Sequence, residues 1–253
     1  MNYMAFKLLT SARNYLLELL FPIKCAVCRK ETGSQKRNKL ICADCIKKIS
    51  PSLDFFCPLC EAKTADGKLC FSCRIIISNT EKTFHLDRLI YPFSYKDPAV
   101  QKVIKSFKYH FIKDLNQPIG RLVTSYLDKI KGKIDLKDTV IIPVPLHKRK
   151  FNQRGYNQSE LIAVEISKHL NIGVINDCLF KIRPTKDQAK LKENKRLGNL
   201  KGAFLCAKPW LAAGKKILLL DDVYTTGETM KECAKVLKEA GAKEVIGLAI
   251  ARG

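Results

Sequence analysis

The sequence predicts an α/β fold, a mostly parallel sheet flanked by helices, with a small cysteine-rich metal-binding domain ahead of it. Three observations carry that expectation. Short apolar runs alternate with amphipathic helical patterns from residue 139 onward, eight cysteines fall into four Cys-x-x-Cys pairs, and one apolar run ends in two acids and a turn of small hydroxyl residues and glycine. Apolar runs separated by amphipathic helices imply a sheet covered on both faces, and ligands of such sheets gather where the strands end.

The length of 253 residues suits two units, which we place at 1–80 and 81–253. Hydrophobic residues at 46% and charged residues at 28% are those of a globular chain, not of a disordered or membrane-embedded one. Lys and Arg total 46 against 24 acids, a formal charge of +22, so the expected partners are polyanions: nucleic acid, acidic lipid or phosphorylated small molecules. Met1 to Phe21 reads as an amphipathic helix. Lys7, Arg13, Asn14 and Glu18 interrupt its apolar residues, so it is expected to pack on its own protein rather than span a membrane or direct export, and a cytoplasmic protein is expected.

The cysteine pairs are Cys25/Cys28, Cys42/Cys45, Cys57/Cys60 and Cys70/Cys73. A two-residue spacing lets a tight turn aim both thiolates at one ion, and two such pairs complete a tetrahedral site. Sequential pairing gives Cys25, Cys28, Cys42, Cys45 and Cys57, Cys60, Cys70, Cys73, in the manner of tandem zinc ribbons; cross-braced pairing is the alternative. Closed four-thiolate zinc sites leave no open coordination position, which makes them structural, and the polar residues between the pairs leave metal to stabilise the fold. Cys178, Cys206 and Cys233 stand singly, as small buried hydrophobes do.

Beyond the cysteines, Leu89 to Tyr95 reads as a strand. Asp97-Pro98 caps a helix with apolar positions Val100, Val103, Ile104 and Phe107, and another helix runs from about Asn116 to about Ile130. Then come a strand at Val140–Pro145, a helix at Ser159–Leu170, an apolar segment at Gly173–Ile182, a strand at Lys216–Leu220, a helix at Thr229–Ala240 and a strand at Val245–Ile250.

The most informative stretch is Ile217 to Met230. A buried strand delivers Asp221 and Asp222, after which Thr225, Thr226, Gly227, Glu228 and Thr229 open a helix. Backbone N–H groups of 225–229, the Thr hydroxyls and the helix N-terminus suit a monophosphate dianion, with Gly227 permitting close backbone approach. The two acids stand where vicinal ribose hydroxyls beside that phosphate would donate to them, and Glu228 is expected to point its charge outward. The bland alternative is a Thr-rich helix cap. Upstream, Lys148, Arg149, Lys150 and Arg154 follow a strand and suit a pyrophosphate, or else form a solvated turn. Lys181 to Lys201, with Arg183 and Lys192, reads either as a basic lid over that pyrophosphate or as a generic surface loop.

The acidic-Thr-Thr-Gly run resembles the 5-phosphoribosyl pyrophosphate (PRPP) motif of type I phosphoribosyltransferases. Together with the cysteine pairs, Arg154-Gly-Tyr-Asn-Gln-Ser159 and Arg183-x-Thr185-x-x-Gln188, it resembles the ComF family over nearly the whole chain. That resemblance implies a type I phosphoribosyltransferase fold with an N-terminal double zinc ribbon, PRPP with Mg2+ as ligand, and a role in natural transformation, where incoming single-stranded DNA is handled. Three activities stay open: a phosphoribosyltransferase whose Asp221 and Asp222 anchor the ribose, a non-catalytic adaptor for single-stranded DNA and a competence helicase, and a PRPP-responsive regulator. Tyr109, Phe107, Tyr156, Phe151 and Trp210 are the candidate stacking surfaces for DNA, with burial in the core as the alternative for each.

Overall fold

The computed structural model describes residues 22–32, 40–80, 83–110, 112–185 and 200–253, so the expected helix at 1–21 and the lid residue Lys192 lie outside the described residues. In chain order the elements are α1 (Ala43–Lys48), β1 (Phe55–Phe56), β2 (Lys63–Thr64), α2 (Phe71–Ser78), β3 (Arg88–Ile90), β4 (Phe93–Ser94), α3 (Pro98–Tyr109), α4 (Asn116–Ile130), β5 (Thr139–Pro143), α5 (Lys148–Arg154), α6 (Gln158–Leu170), β6 (Leu179–Lys181), β7 (Phe204–Cys206), β8 (Lys216–Tyr224), α7 (Glu228–Glu239) and β9 (Glu244–Arg252).

The central sheet has the order β3-β9-β8-β5, with β4 also on β9, and every pairing in it is parallel. Because successive strand residues face opposite sides, Leu218, Leu220, Ile246 and Leu248 pack with α3, α4 and α6 on one face. Ile217, Leu219, Val245 and Ala249 pack with α7 and the β6–β7 hairpin on the other. The mostly parallel sheet with flanking helices is thus as the sequence predicts. Asp97 caps α3 by accepting from the amides of Ala99 (2.7 Å) and Val100 (3.4 Å), which fixes where that helix starts.

Three segments depart from the sequence reading. Leu89–Tyr95 is two short strands, interrupted at Tyr91-Pro92, because proline cannot donate to a ladder. Of Gly173–Ile182, only Val174 bridges to β5; after Asn176 and Asp177 the chain leaves the sheet, and Leu179–Lys181 pairs antiparallel with β7 in a separate hairpin. β8 runs through both acids to Tyr224, since β9 continues beside it to Arg252.

The cysteine-rich segment repeats one plan. Cys42 and Cys70 are the residues capping α1 and α2, which put Cys45 and Cys73 in the first helical turn facing the knuckles at Cys25/Cys28 and Cys57/Cys60. Ala26, Ile41, Ile49 and Phe55 join the same buried cluster as Val100 and Ile104 of α3, so this segment shares a core with the larger unit.

Candidate functional site

Pairing within the cysteine-rich segment is sequential. The ligand atoms of Cys25, Cys28, Cys42 and Cys45 all lie within 4.8 Å of one another, as do those of Cys57, Cys60, Cys70 and Cys73, spacings that fit two closed four-thiolate zinc sites. Burial alone would raise the Cys25 thiol, but amides including those of Cys28, Cys42 and Val27 outweigh it and lower it to about 6; thiolate stabilised by backbone donors is the form that binds metal. The same balance lowers Cys57 to about 7.

The second candidate site is the end of β8. Strand alternation sends Asp221 and Asp222 to opposite faces of the sheet. Asp222 turns to the α3 side, where its Oδ1 lies 2.8 Å from Lys108 Nζ in a mostly shielded ion pair. Burial opposes the charge on Lys108, but Asp222 outweighs it and holds the ammonium above its usual value. Asp221 turns to the α7 side near Lys181 and Cys233. Burial, then repulsion from Asp222, push its carboxyl up to about 7, against the opposing pull of Lys108 and Lys181. The two acids therefore bracket the strand end instead of sharing one surface.

The turn that follows has Gly227 as the residue capping α7, in the left-handed region at φ 76° and without a side-chain cap. The first amides of α7 have no partner inside the helix. Thr226 Oγ1 is buried with no hydrogen-bond partner among the described residues, an orphan hydroxyl inside the proposed phosphate cradle. Glu228 is turned back along its own helix to Lys231, at 3.2 Å, and Lys231 Nζ also donates to the Thr226 carbonyl at 3.0 Å. This local pair partly offsets the negative charge beside the turn.

The predicted cationic residues fare unevenly. Because Val144 N–H donates to the Leu220 carbonyl, β5 ends beside the acids, and Lys148 and Arg149 stand exposed just beyond it. They lie on a short helix, not on an open loop, with Arg149 N–H donating to His147 Nδ1 at 3.2 Å. Arg183 donates to the carbonyls of Gly202 (3.1 Å) and Lys201, so its guanidinium is spent on backbone acceptors. Of the proposed stacking residues, Phe107 and Tyr156 are buried core, whereas Tyr109, Phe151 and Trp210 are exposed.

Lys108 was missed from sequence. Its signal was position: it falls four residues after Ile104, in line with the apolar stripe of α3. The Arg154–Ser159 motif helps to hold that helix. Tyr156 Oη donates to the Phe107 carbonyl at 2.5 Å, and Asn157 Nδ2 donates to the Val144 carbonyl at 3.0 Å. The motif thereby ties Lys108 and the end of β5 to one point.

Comparison with known proteins agrees with this arrangement. Residues 16–74 match the double zinc ribbon domain and residues 157–252 match the phosphoribosyl transferase domain. Among curated proteins, the chain is 28% identical over 235 residues to competence protein F of Haemophilus influenzae, covering 92% of this chain and 98% of that protein. It is 26% identical over 209 residues to competence protein ComFC of Bacillus subtilis, covering 81% of each. It is 28% identical over 202 residues to the DNA utilization protein YhgH of Escherichia coli K12, covering 75% of this chain and 86% of that one. Fold and cysteine clusters define a phosphoribosyltransferase-fold protein that carries a double zinc ribbon. Within that class, the chain as a whole is similar to the competence and DNA utilization proteins named above. Lys108 lies between the two matched domains, in a stretch that neither covers.

Proposed function

We propose that the chain binds PRPP, chelated by Mg2+, at the carboxyl end of β8. The orphan Thr226 hydroxyl is the observation that carries this reading: a buried donor without a partner beside the unpaired first amides of a helix is what a phosphate would satisfy. In this reading residues 225–229 hold the 5-phosphate, and Asp222 and Asp221 approach the ribose from the two sides of β8. Lys148 and Arg149 approach the pyrophosphate from the end of β5. Mg2+ would supply charge neutralisation at the pyrophosphate oxygens. Lys108 orients Asp222 through their ion pair.

The biological setting we propose is DNA handling during uptake, as befits a chain similar to competence and DNA utilization proteins, with a competence helicase as partner. Exposed Tyr109 lies 5.6 Å from the Arg154 guanidinium, a stacking pair open to an unpaired base. Isothermal titration with PRPP and Mg2+ tests the ligand: the wild type gives saturable heat, and the Thr226→Ala, Asp222→Asn double variant gives none. No heat from either overturns the reading. Pyrophosphate release with a panel of amines and bases then separates transfer from sensing. Single-stranded DNA binding that weakens with salt and survives Asp221→Asn and Asp222→Asn separates the DNA surface from the ligand site.

A further inference from the structure

The two zinc ribbons are not attached to the larger unit in the same way. The first packs its apolar residues into the α3 cluster, with Lys102 Nζ reaching the Val27 carbonyl at 3.2 Å from an exposed position. The second is fastened to the phosphate turn itself. Tyr224, the last residue of β8, sends its hydroxyl out of the larger unit to donate to the carbonyl of Pro58 at 2.9 Å, and Pro58 lies between the ligands Cys57 and Cys60. The hydrogen bond is buried.

Gly227 shows how closely this strut runs beneath the turn. A Cβ built on Gly227 would stand 2.1 Å from Tyr224 Oη and 2.3 Å from its Cζ, so the space a side chain would take is filled by the tyrosine ring. Glycine is thus required here by the ring as well as by φ. A second fastening also meets the ring. Arg252, 8% exposed, stacks on Tyr224 with its guanidinium carbon 5.3 Å from the ring centre, and its Nη2 lies 2.7 Å from Glu61 Oε1. Glu61 directly follows Cys60, and its amide donates to the Cys57 carbonyl at 3.1 Å. Both fastenings end on the Cys57–Cys60 knuckle.

We infer that the second ribbon, acting through Tyr224 and Arg252, is the support that holds residues 225–229 in their ligand-accepting shape, so that metal at Cys57, Cys60, Cys70 and Cys73 sets the affinity of the turn. Tyr224 is a positioning residue: its hydroxyl is spent on Pro58, and it acts on a ligand through the backbone of Gly227. Metal fixes the knuckle, the knuckle fixes the Pro58 carbonyl and Glu61, and these fix the ring on which the turn rests. The inference rests on the PRPP reading for the identity of the ligand, but not for the mechanical link.

The test uses the full chain with its zinc, the first ribbon serving as control. In Tyr224→Phe the ring stays and the hydroxyl goes. Zinc content is expected to be unchanged, PRPP–Mg2+ affinity by titration to fall about fivefold, as loss of one buried hydrogen bond implies, and amide hydrogen exchange of residues 225–229 to accelerate. Cys60→Ser is expected to reproduce both changes and to leave Tyr224→Phe without further effect in its background; Cys28→Ser, in the first ribbon, is expected to leave amide exchange of residues 225–229 unchanged. Unchanged exchange at 225–229 in Tyr224→Phe, or equal effects of Cys28→Ser and Cys60→Ser, overturns the link. If the wild type binds no PRPP, the ligand reading fails while the exchange comparison still decides the link.

Discussion

The two faces of the central sheet treat neighbouring carboxylates differently. On the α3 face, Asp222 has a lysine 2.8 Å away and sits opposite a full positive charge. On the α7 face, one residue back, Asp221 has burial and its neighbour's charge against it, and its carboxyl titrates near neutrality. Adjacent acids in a strand thus become two distinct groups, one paired with a lysine and one poised to change its charge, because alternation hands them to different layers of the fold.

The largest effect expected to expose this difference is the pH dependence of stability. Asp221 binds its proton more readily folded than unfolded, so its contribution is fully present below about 4 and is lost as pH rises through about 7. A shift of this size corresponds to a loss on the order of 4 kcal/mol across that window. Urea unfolding of the wild type at pH 4 and pH 8 measures the loss; Asp221→Asn should flatten that slope, whereas Asp222→Asn, which removes only the second cause of the shift, should reduce it in part.

Next in size is the ion pair. Lys108→Met leaves Asp222 shielded and uncompensated, with an expected cost of about 3 kcal/mol, and the Lys108→Met, Asp222→Asn double variant should regain most of it. Strict additivity in that cycle would contradict the pairing. The smallest effect belongs to Glu228, whose partner is one turn along its own helix. Glu228→Gln should change thermal stability by less than about 0.5 kcal/mol. A large change there would mean that its charge, and not only the pair on either side of β8, governs the turn.

Much of this was legible beforehand, and the reason is locality. Cysteine spacing of two residues, the acidic-Thr-Thr-Gly order and the Asp97 cap are each written within a few residues, and each appears as a structural unit. What stayed hidden was nonlocal. Lys108 meets Asp222 only because α3 packs beside β8, and Tyr224, which occupies a freely variable place in the motif, gains its role from a carbonyl in a different domain. The apolar segment at Gly173–Ile182 is divided between two places. Phe180 and Ile182 are exposed in the structure, and Leu179–Lys181 finds its partner in β7, beyond the basic segment. Arg183, read as a lid residue, spends its guanidinium on two backbone carbonyls, a use that charge patterning does not reveal.

The strand order has a consequence for how the chain is made. β9, the last strand of the sheet in sequence order, lies between β3 and β8, so β3 has no partner within the sheet until β9 has been made. The cysteine knuckles precede it and can capture their ions while most of the polypeptide is still being synthesised. During that interval the second knuckle waits for a tyrosine and an arginine that come far later in the sequence, and the early chain leaves the sheet edge of β3 open to chaperones or to aggregation. Metal supply at the start of synthesis and sheet closure at its end are therefore separate checkpoints, and a zinc-starved cell should accumulate chains that fail at the first before reaching the second.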